Sequence, residues 1–193
     1  MTQIYDIHSY KGGVGVTTTA CSLALILANK GRSTLLVDSG YSPDTYPWLN
    51  IALPIGSRGE VAKGVFPNLD MVRVGDSEKI SSVNVSDYDF VVIDNGRNCS
   101  QEYPTAYTVQ RVCVVRNEYM SLHNTANRFA PSTELLVAFI GDGLALTAKD
   151  VQSVLNRQPV VASIDTNAQR AIDAGLAAMR VDERFGWVKE LLV

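Results

Sequence analysis

Short apolar runs rich in β-branched residues alternate with helical patterns along most of the chain. The strand patterns are IYDIH, STLLVD, DMVRV, DFVVID, RVCVV, LLVAFI and PVVASI. One helical pattern runs from about Thr17 to Lys30, and three more cover residues 121–129, 147–156 and 167–178. This order predicts a three-layer α/β/α fold whose mostly parallel central sheet is covered by helices on both faces. Such sheets bind ligands beyond the carboxyl ends of their strands.

The length of the chain favours one domain over residues 1–193. Of its 193 residues, 46% are hydrophobic and 19% are charged, which is enough for one buried core and too little for two. Residues 40–86 are the least regular part because prolines and glycines interrupt them, and we expect an elaborated connection there. Residues 95–108 are polar and follow a strand, so we expect a loop that lines the ligand site.

Charge and cysteine content restrict the cellular setting. The formal net charge is −3, so the chain has no general attraction for nucleic acid or anionic lipid, and DNA remains a possible partner only through a local basic patch. Three cysteines, Cys21, Cys99 and Cys113, cannot all pair within one chain. The longest apolar run, LALILA, is far shorter than the roughly 18 residues that span a bilayer. We therefore expect a cytoplasmic protein with at most a peripheral membrane contact.

The stretch SYKGGVGVTTTA, residues 9–20, joins the first strand to the first helix. A strand, a glycine-rich turn and a helix start bring several backbone N–H groups and the positive end of a helix dipole to one point, which is an anion site. Glycine at positions 12, 13 and 15 permits positive φ and lets phosphate oxygens approach the backbone. Phosphate-binding loops place a lysine before a Ser or Thr. Here Val16 stands at the lysine position, and Thr17 follows it.

The loop resembles the deviant Walker A motif, K-G-G-x-G-K-[ST]-T, of the ParA/MinD family of P-loop ATPases. It matches this motif at Lys11, Gly12, Gly13, Gly15, Thr17 and Thr18. LLVDSG resembles the D-x-D motif of that family, and DYDFVVIDNG resembles its Walker B strand. The later runs VCVVRNEYMSLHNTANR and PVVASIDTNAQRAIDAG resemble the CpaE/TadZ branch, whose members help to position pili and secretion systems.

The resemblance implies ATP and Mg²⁺ as ligands, a homodimer, and a protein partner from a secretion, pilus or partition apparatus. The implied nucleotide-binding residues are Lys11, Gly12, Gly13, Val14, Gly15, Val16, Thr17 and Thr18. Thr17 would ligate Mg²⁺, and Asp94 would hold the metal through water. Lys11, reaching the nucleotide of the partner subunit, and Asp38, near the attacking water, are the implied catalytic residues.

Three departures from the family pattern bear on mechanism. Val16 removes charge-assisted hydrogen bonds worth roughly 1.5–3 kcal/mol each, which would weaken binding by roughly ten- to a thousandfold. It also removes stabilisation of the charge that develops in phosphoryl transfer. Gly40 replaces the second acid of D-x-D, and FIGD stands where a strand-terminal Asn is usual, so base specificity is open. We predict nucleotide binding with slow or absent hydrolysis, by a dimerising positioning or assembly factor.

Other interpretations of the same loop remain open. A Rossmann dinucleotide site would explain Asp38, which lies 23 positions after Gly15, but Thr18 stands where that motif has its third Gly or Ala. An active partition ATPase would use Lys11 to supply the missing charge. A nucleotide-free scaffold would keep the fold and dock on a protein partner.

Residues outside the motifs have simpler interpretations. His8 and His123 have no partner at a spacing typical of metal sites, so both are expected to be structural or exposed. No base for Cys99 is evident in the sequence. The C-terminal RFGWVKELLV has one apolar face, as in MinD-type membrane helices, but the acidic residues around it favour packing on the domain.

Overall fold

The computed structural model describes residues 1–40, 44–52, 59–74, 83–96, 103–141, 144, 146–163, 166–173, 178 and 181–192. The strands are β1 (Gln3–His8), β2 (Thr34–Asp38), β3 (Val61–Phe66), β4 (Leu69–Arg73), β5 (Phe90–Asp94), β6 (Thr108–Arg116), β7 (Glu134–Phe139) and β8 (Val160–Ala162). The helices are α1 (Val16–Asn29), α2 (Thr45–Leu49), α3 (Tyr119–Ala126), α4 (Ala148–Leu155), α5 (Thr166–Asp173) and α6 (Val181–Arg184), followed by a 3₁₀ helix (Gly186–Leu191).

All eight strands belong to one sheet, in the order β3-β4-β2-β5-β1-β6-β7-β8. Neighbouring strands are parallel from β4 to β8, and β3 alone pairs antiparallel at the edge. The predicted three-layer α/β fold with a mostly parallel sheet is therefore confirmed. The parallel strands all end at the same edge of the sheet, where the loops after β1, β2 and β5 meet.

Helix α1 is the most deeply buried helix, with 12 of its 14 residues buried. A helix that is apolar on all sides needs cover on all sides. The sheet covers one face of α1, and α2, α6 and the 3₁₀ helix cover the other. This enclosure fixes the N-terminus of α1 and the loop before it relative to the ends of β1 and β5.

The opposite face of the sheet is covered by α3 and α4. A second apolar cluster lies between these helices and strands β6 and β7, formed by Cys113, Val115, Leu122, Phe129, Leu136, Ala138, Val151 and Leu155. The alternation of β6 sends Val112 and Val114 to the α1 face, and Cys113 and Val115 to this one. Each face of the sheet thus has its own core.

Residues 40–86 contain two elements that the sequence analysis did not predict, α2 and β3. The run VAKGVF of β3 lacks the apolar alternation of a buried strand, because β3 lies at the sheet edge and is only partly buried. Its pairing with β4 is supported by Lys63, whose Nζ donates to Asp70 at 2.8 Å. The irregular connection is therefore partly built into the sheet.

The C-terminal segment packs on the domain, as predicted. Phe185, Val188 and Leu191 are buried in the core that contains α1. The Phe185 ring lies 5.4 Å from that of Trp48, and the ring of Trp187 meets that of Phe139 edge-on. Within the described residues, no helix is long and apolar enough to cross a membrane.

Candidate functional site

The loop after β1 presents a helix N-terminus whose N–H groups are not capped by side chains. Gly15 is the N-cap residue and makes no side-chain hydrogen bond to the helix, and the first turn carries no acidic residue. Gly13 and Gly15 have φ of +73° and +109°, a region that side chains with a Cβ rarely enter. The loop therefore leaves backbone donors and the positive end of the α1 dipole available to an anion.

Gly15 is required for a second reason, its contact with Phe139. A Cβ added at Gly15 would lie 2.4 Å from Cε2 of the Phe139 ring. Phe139 is the last residue of β7 and is itself buried. The glycine loop is thus packed directly against the carboxyl end of a strand that is distant in sequence.

Thr17 and Asp94 meet at the carboxyl end of β5. The Thr17 hydroxyl donates to Asp94 Oδ2 at 2.7 Å, and the backbone N–H of Gly96 donates to Asp94 Oδ1 at 3.3 Å. Burial raises the pKa of Asp94 to about 7. The hydrogen bond from Thr17 opposes this shift, and the nearby charge of Asp38 adds to it. A hydroxyl and a carboxylate in contact are oxygen ligands of the kind that Mg²⁺ prefers, so these residues fit that ion.

Asp38 lies beside Asp94 in the sheet but does not line the same space. The two residues are paired in the register of β2 and β5. Asp38 is fully buried, and its carboxylate accepts hydrogen bonds from the Thr45 hydroxyl and from the backbone N–H of Gly40 at 3.2 Å. Its side chain therefore joins the end of β2 to the start of α2.

Lys11 makes an ion pair within its own chain. Its Nζ lies 2.7 Å from Oε1 of Glu118, and each side chain is 32% exposed. Glu118 is the residue before α3, so this pair joins the start of the glycine loop to the end of β6. Contact between Lys11 and the nucleotide of a partner subunit stays a prediction.

A cleft of about 940 Å³ opens in front of the loop. This volume lies within the range of ligand sites for small molecules. Its lining comes from the loop, from the ends of β5, β6, β7 and β8, and from α2 and α5. The lining residues are Ser9, Gly12, Gly13, Val14, Gly15, Val16, Thr17, Thr18, Gly40, Asp44, Pro47, Trp48, Asn50, Asp94, Gly96, Arg116, Phe139, Ile140, Gly141, Ala162, Gln169 and Ile172.

Val16 lines the cleft and also belongs to the hydrophobic core. Its side chain is 8% exposed and belongs to the same apolar cluster as Phe139. The wall of the cleft next to the helix N-terminus is therefore apolar at position 16.

Arg116 is a cleft residue that sequence reasoning missed. Among the lining residues that the structure describes, it alone has a cationic side chain. It is the last residue of β6, and the rule that ligands bind at carboxyl strand ends was the available signal. The side chain of the next residue, Asn117, accepts from Gly141 N at 2.9 Å and donates to Leu146 O at 2.6 Å, which ties the end of β6 to the segment after β7.

Other predicted positions lie elsewhere or outside the described residues. Of the predicted loop 95–108, the structure describes residues 95–96 and 103–107 before β6 begins, and none of these lies in a helix or strand. Cys99 lies outside the described residues. His123 is exposed on α3 with its ring stacked on Tyr119.

No protein family matches the sequence, and no curated protein matches it. Solved structures do match. The MinC:MinD cell division protein complex of Aquifex aeolicus aligns with a TM-score of 0.76 at 16% identity, covering 98% of this chain and 95% of that one. The septum site-determining protein MinD of Pyrococcus horikoshii, complexed with Mg-ADP, gives 0.73 at 17%, covering 100% and 96%. A ParA family ATPase from Chlorobium tepidum gives 0.71 at 16%, covering 97% and 95%.

The chain has the fold of the MinD and ParA ATPases. At these identities the similarity is one of architecture, so it fixes the topology of the sheet and not the chemistry of the cleft. What this chain can do there is decided by its own residues.

Proposed function

We propose that this chain is a divergent ParA/MinD-like protein that binds a Mg-nucleotide, ATP, in the cleft and hydrolyses it slowly or not at all. The observation that carries this proposal is the contact between Thr17 and Asp94 at the uncapped N-terminus of α1. An oxygen-ligand pair for Mg²⁺ and a set of backbone donors for phosphate then face one cleft. Residues 1–193 would act as one domain, since a single sheet connects the strands from β1 to β8.

The phosphate groups would bind mainly to the backbone. The N–H groups of the loop and the dipole of α1 supply positive potential without a lysine at position 16. Arg116 also lines the cleft and is the residue best placed to add a full positive charge. Mg²⁺, held by Thr17 and through water by Asp94, would neutralise further phosphate charge when bound.

Slow hydrolysis is supported by the position of the two proposed catalytic residues. Lys11 is paired with Glu118, and the carboxylate of Asp38 is occupied by Thr45 and Gly40. Neither residue lines the cleft. Phosphoryl transfer depends on charged groups that are positioned around the transferred phosphoryl group. Near Val16, the cleft provides little such charge.

The proposed cellular role is supported only by analogy with the structural neighbours. One neighbour is a cell division protein in complex with its partner MinC, and another is a ParA family ATPase. By analogy of fold, we propose a cytoplasmic, dimerising factor that positions or assembles a larger structure, in a pilus, secretion or partition apparatus. Assignment to the CpaE/TadZ branch is part of this proposal.

Calorimetry with Mg-ATP tests the binding proposal on wild type, Thr17→Ala and, as a control, Thr133→Ala. Thr133 is exposed and lies outside the cleft. We expect wild type and the Thr133 variant to bind equally and Thr17→Ala to bind at least tenfold more weakly, with its dependence on Mg²⁺ lost. Equal affinity of all three chains would contradict the proposed metal site. Absence of binding by folded wild type would favour the scaffold interpretation.

Phosphate release tests the hydrolysis part separately. We expect wild type to release phosphate no faster than Lys11→Ala under saturating Mg-ATP. A wild-type rate clearly above that of Lys11→Ala would instead support an active partition-type ATPase in which Lys11 supplies the missing charge.

A further inference from the structure

Three side chains with metal-binding atoms meet beneath α3, on the face of the sheet that does not contact α1. They are His8, Cys113 and Glu134, here called the His8 cluster. Their imidazole nitrogen, thiol sulfur and carboxylate oxygen all lie within 4.8 Å of one another. All three residues are buried, with Glu134, at 4%, the most exposed of them. The cluster is separate from the cleft, since none of its members lines that space.

The topology of the sheet creates this cluster. His8 is the last residue of β1 and is paired in register with Cys113 of β6. Cys113 is in turn paired with Leu136 of β7, and Glu134 lies two residues earlier on the same face of that strand. Three adjacent strands therefore each contribute one ligand type.

Within the described part of the chain, the hydrogen-bonding capacity of the buried His8 ring is unsatisfied. Neither of its ring nitrogens has a hydrogen-bond partner among the residues that the structure describes, although the side chain is fully buried. A buried polar group without a partner costs free energy, so such groups in folded proteins call for an explanation. The nearest carboxylate oxygen, Glu134 Oε1, lies 3.8 Å from Nε2, which is too far for a hydrogen bond.

That separation fits two ligands of one metal ion. A tetrahedral ion with bonds of about 2.0–2.3 Å places its ligand atoms roughly 3.3–3.8 Å apart. The other oxygen of Glu134 accepts from the backbone N–H of Ala130 at 3.3 Å, which orients the carboxylate. Such hydrogen bonds to the non-ligating atoms of ligands are typical of metal sites.

We propose that His8, Cys113 and Glu134 supply three of the four ligands of one Zn²⁺ ion. Nitrogen, sulfur and oxygen ligands together suit this borderline-soft ion, whereas Mg²⁺ and Ca²⁺ take oxygen ligands. The charge also balances, since a thiolate and a carboxylate together neutralise a divalent cation, and a neutral imidazole adds no charge. The ion would join β1, β6 and β7 on the face beneath α3. Because the site is buried, bound zinc should exchange slowly.

Elemental analysis of purified chains, followed by reconstitution with Co²⁺, tests this site. The test uses wild type, Cys113→Ala, and the control variants Cys21→Ala and Cys99→Ala, which remove the other two cysteines of the chain. Cys21 is as fully buried as Cys113, so its loss is a matched perturbation of the core. We expect one zinc ion per chain in wild type and both controls, and zinc at background level in Cys113→Ala.

Cobalt gives a readout that depends on the sulfur ligand. Co²⁺ refolded into wild type should show a thiolate-to-metal charge-transfer band, which disappears in Cys113→Ala and persists in the two controls. Co²⁺ bound at Thr17 and Asp94 would have oxygen ligands and no such band, so the two sites are distinguished. Absence of zinc and of the band in folded wild type would overturn the proposal. So would a band that persists in Cys113→Ala. If Cys113→Ala does not fold, His8→Gln takes its place, and zinc content and the charge-transfer band are compared between that variant and wild type.

Discussion

The cleft and the His8 cluster lie at the same end of β1, yet they differ in how their buried polar groups are satisfied. In the cleft, the carboxylate of Asp94 receives hydrogen bonds from Thr17 and Gly96. In the cluster, the ring of His8 has no hydrogen bond to any described residue. A satisfied pair at an open cleft can exchange its contacts for a ligand and release it again. An unsatisfied buried group costs free energy, and a ligand that stays bound to it removes that cost.

The two sites also differ in exposure and in chemistry. The cleft is open, built largely from backbone donors and oxygen ligands, and suits a reversible anionic ligand with Mg²⁺. The cluster is closed and contains nitrogen and sulfur ligands, which suits a resident ion. Variants that damage one site should therefore leave the other unchanged.

The largest effect is expected from Gly15→Ala. Its Cβ would enter a backbone region unfavourable to alanine and collide with the Phe139 ring. We expect a loss of about 2–4 kcal/mol in the free energy of unfolding, together with loss of Mg-ATP binding. Urea denaturation and calorimetry measure the two effects.

Gly13→Ala is the matched control for that variant. Gly13 also has positive φ, but no atom lies within 4 Å of a Cβ added there. Gly13→Ala should lower the free energy of unfolding by only about 1 kcal/mol, because only the unfavourable backbone conformation contributes. Equal losses in the two variants would contradict the role assigned to Phe139. Zinc content should be unchanged in both.

Asp94→Asn should stabilise the ligand-free chain at neutral and alkaline pH. Burial raises the pKa of Asp94 to about 7 in the folded chain, whereas an unfolded aspartate ionises near pH 3.9. Between about pH 4 and pH 7 the unfolded chain therefore binds fewer protons, and stability falls as the pH rises. Asparagine cannot ionise, so the variant should be more stable by about 4 kcal/mol at pH 8 and equally stable near pH 4.

Urea denaturation across this pH range, without Mg²⁺ or nucleotide, measures the difference. The exposed Asp87→Asn is the control, because it removes a carboxylate outside the cleft. A difference between Asp94→Asn and wild type that does not grow with pH would count against a buried Asp94 carboxylate whose pKa is raised.

The smallest effects on stability are expected from Lys11→Ala and Glu118→Ala. Their ion pair is one-third exposed, and such pairs contribute less than about 1 kcal/mol. The two variants should differ in assembly instead. If Lys11 serves the nucleotide of a partner subunit, light scattering with Mg-ATP will show a dimer for wild type and Glu118→Ala and a monomer for Lys11→Ala. Identical masses for both variants would contradict that role.

Local motifs explain why much of the fold and part of the cleft could be predicted from sequence. The strand and helix patterns place β1, α1 and the later parallel strands, because buried strands and helices carry clear apolar periodicity. Thr17 belongs to a contiguous loop, and Asp94 ends an apolar strand, so both could be named in advance. The edge strand β3 was missed since half-exposed edge strands lack that periodicity.

The remaining features depend on strand order, which the sequence does not state. Arg116 and Phe139 reach the cleft because β6 and β7 follow β1 in the sheet. His8 meets Cys113 and Glu134 for the same reason, across more than 100 residues of sequence. A search for metal-ligand spacing along the chain could not find this cluster, and His8 was accordingly expected to be structural or exposed.

The most direct test of the central claim is the affinity for Mg-ATP of wild type beside Val16→Lys, measured by calorimetry. Val16→Met serves as the apolar control, because Val16 is also part of the core. The account predicts that wild type binds and that lysine tightens binding by roughly ten- to a thousandfold, while methionine does not. If folded wild type and Val16→Lys both fail to bind, the cleft is not a nucleotide site, and the account is wrong.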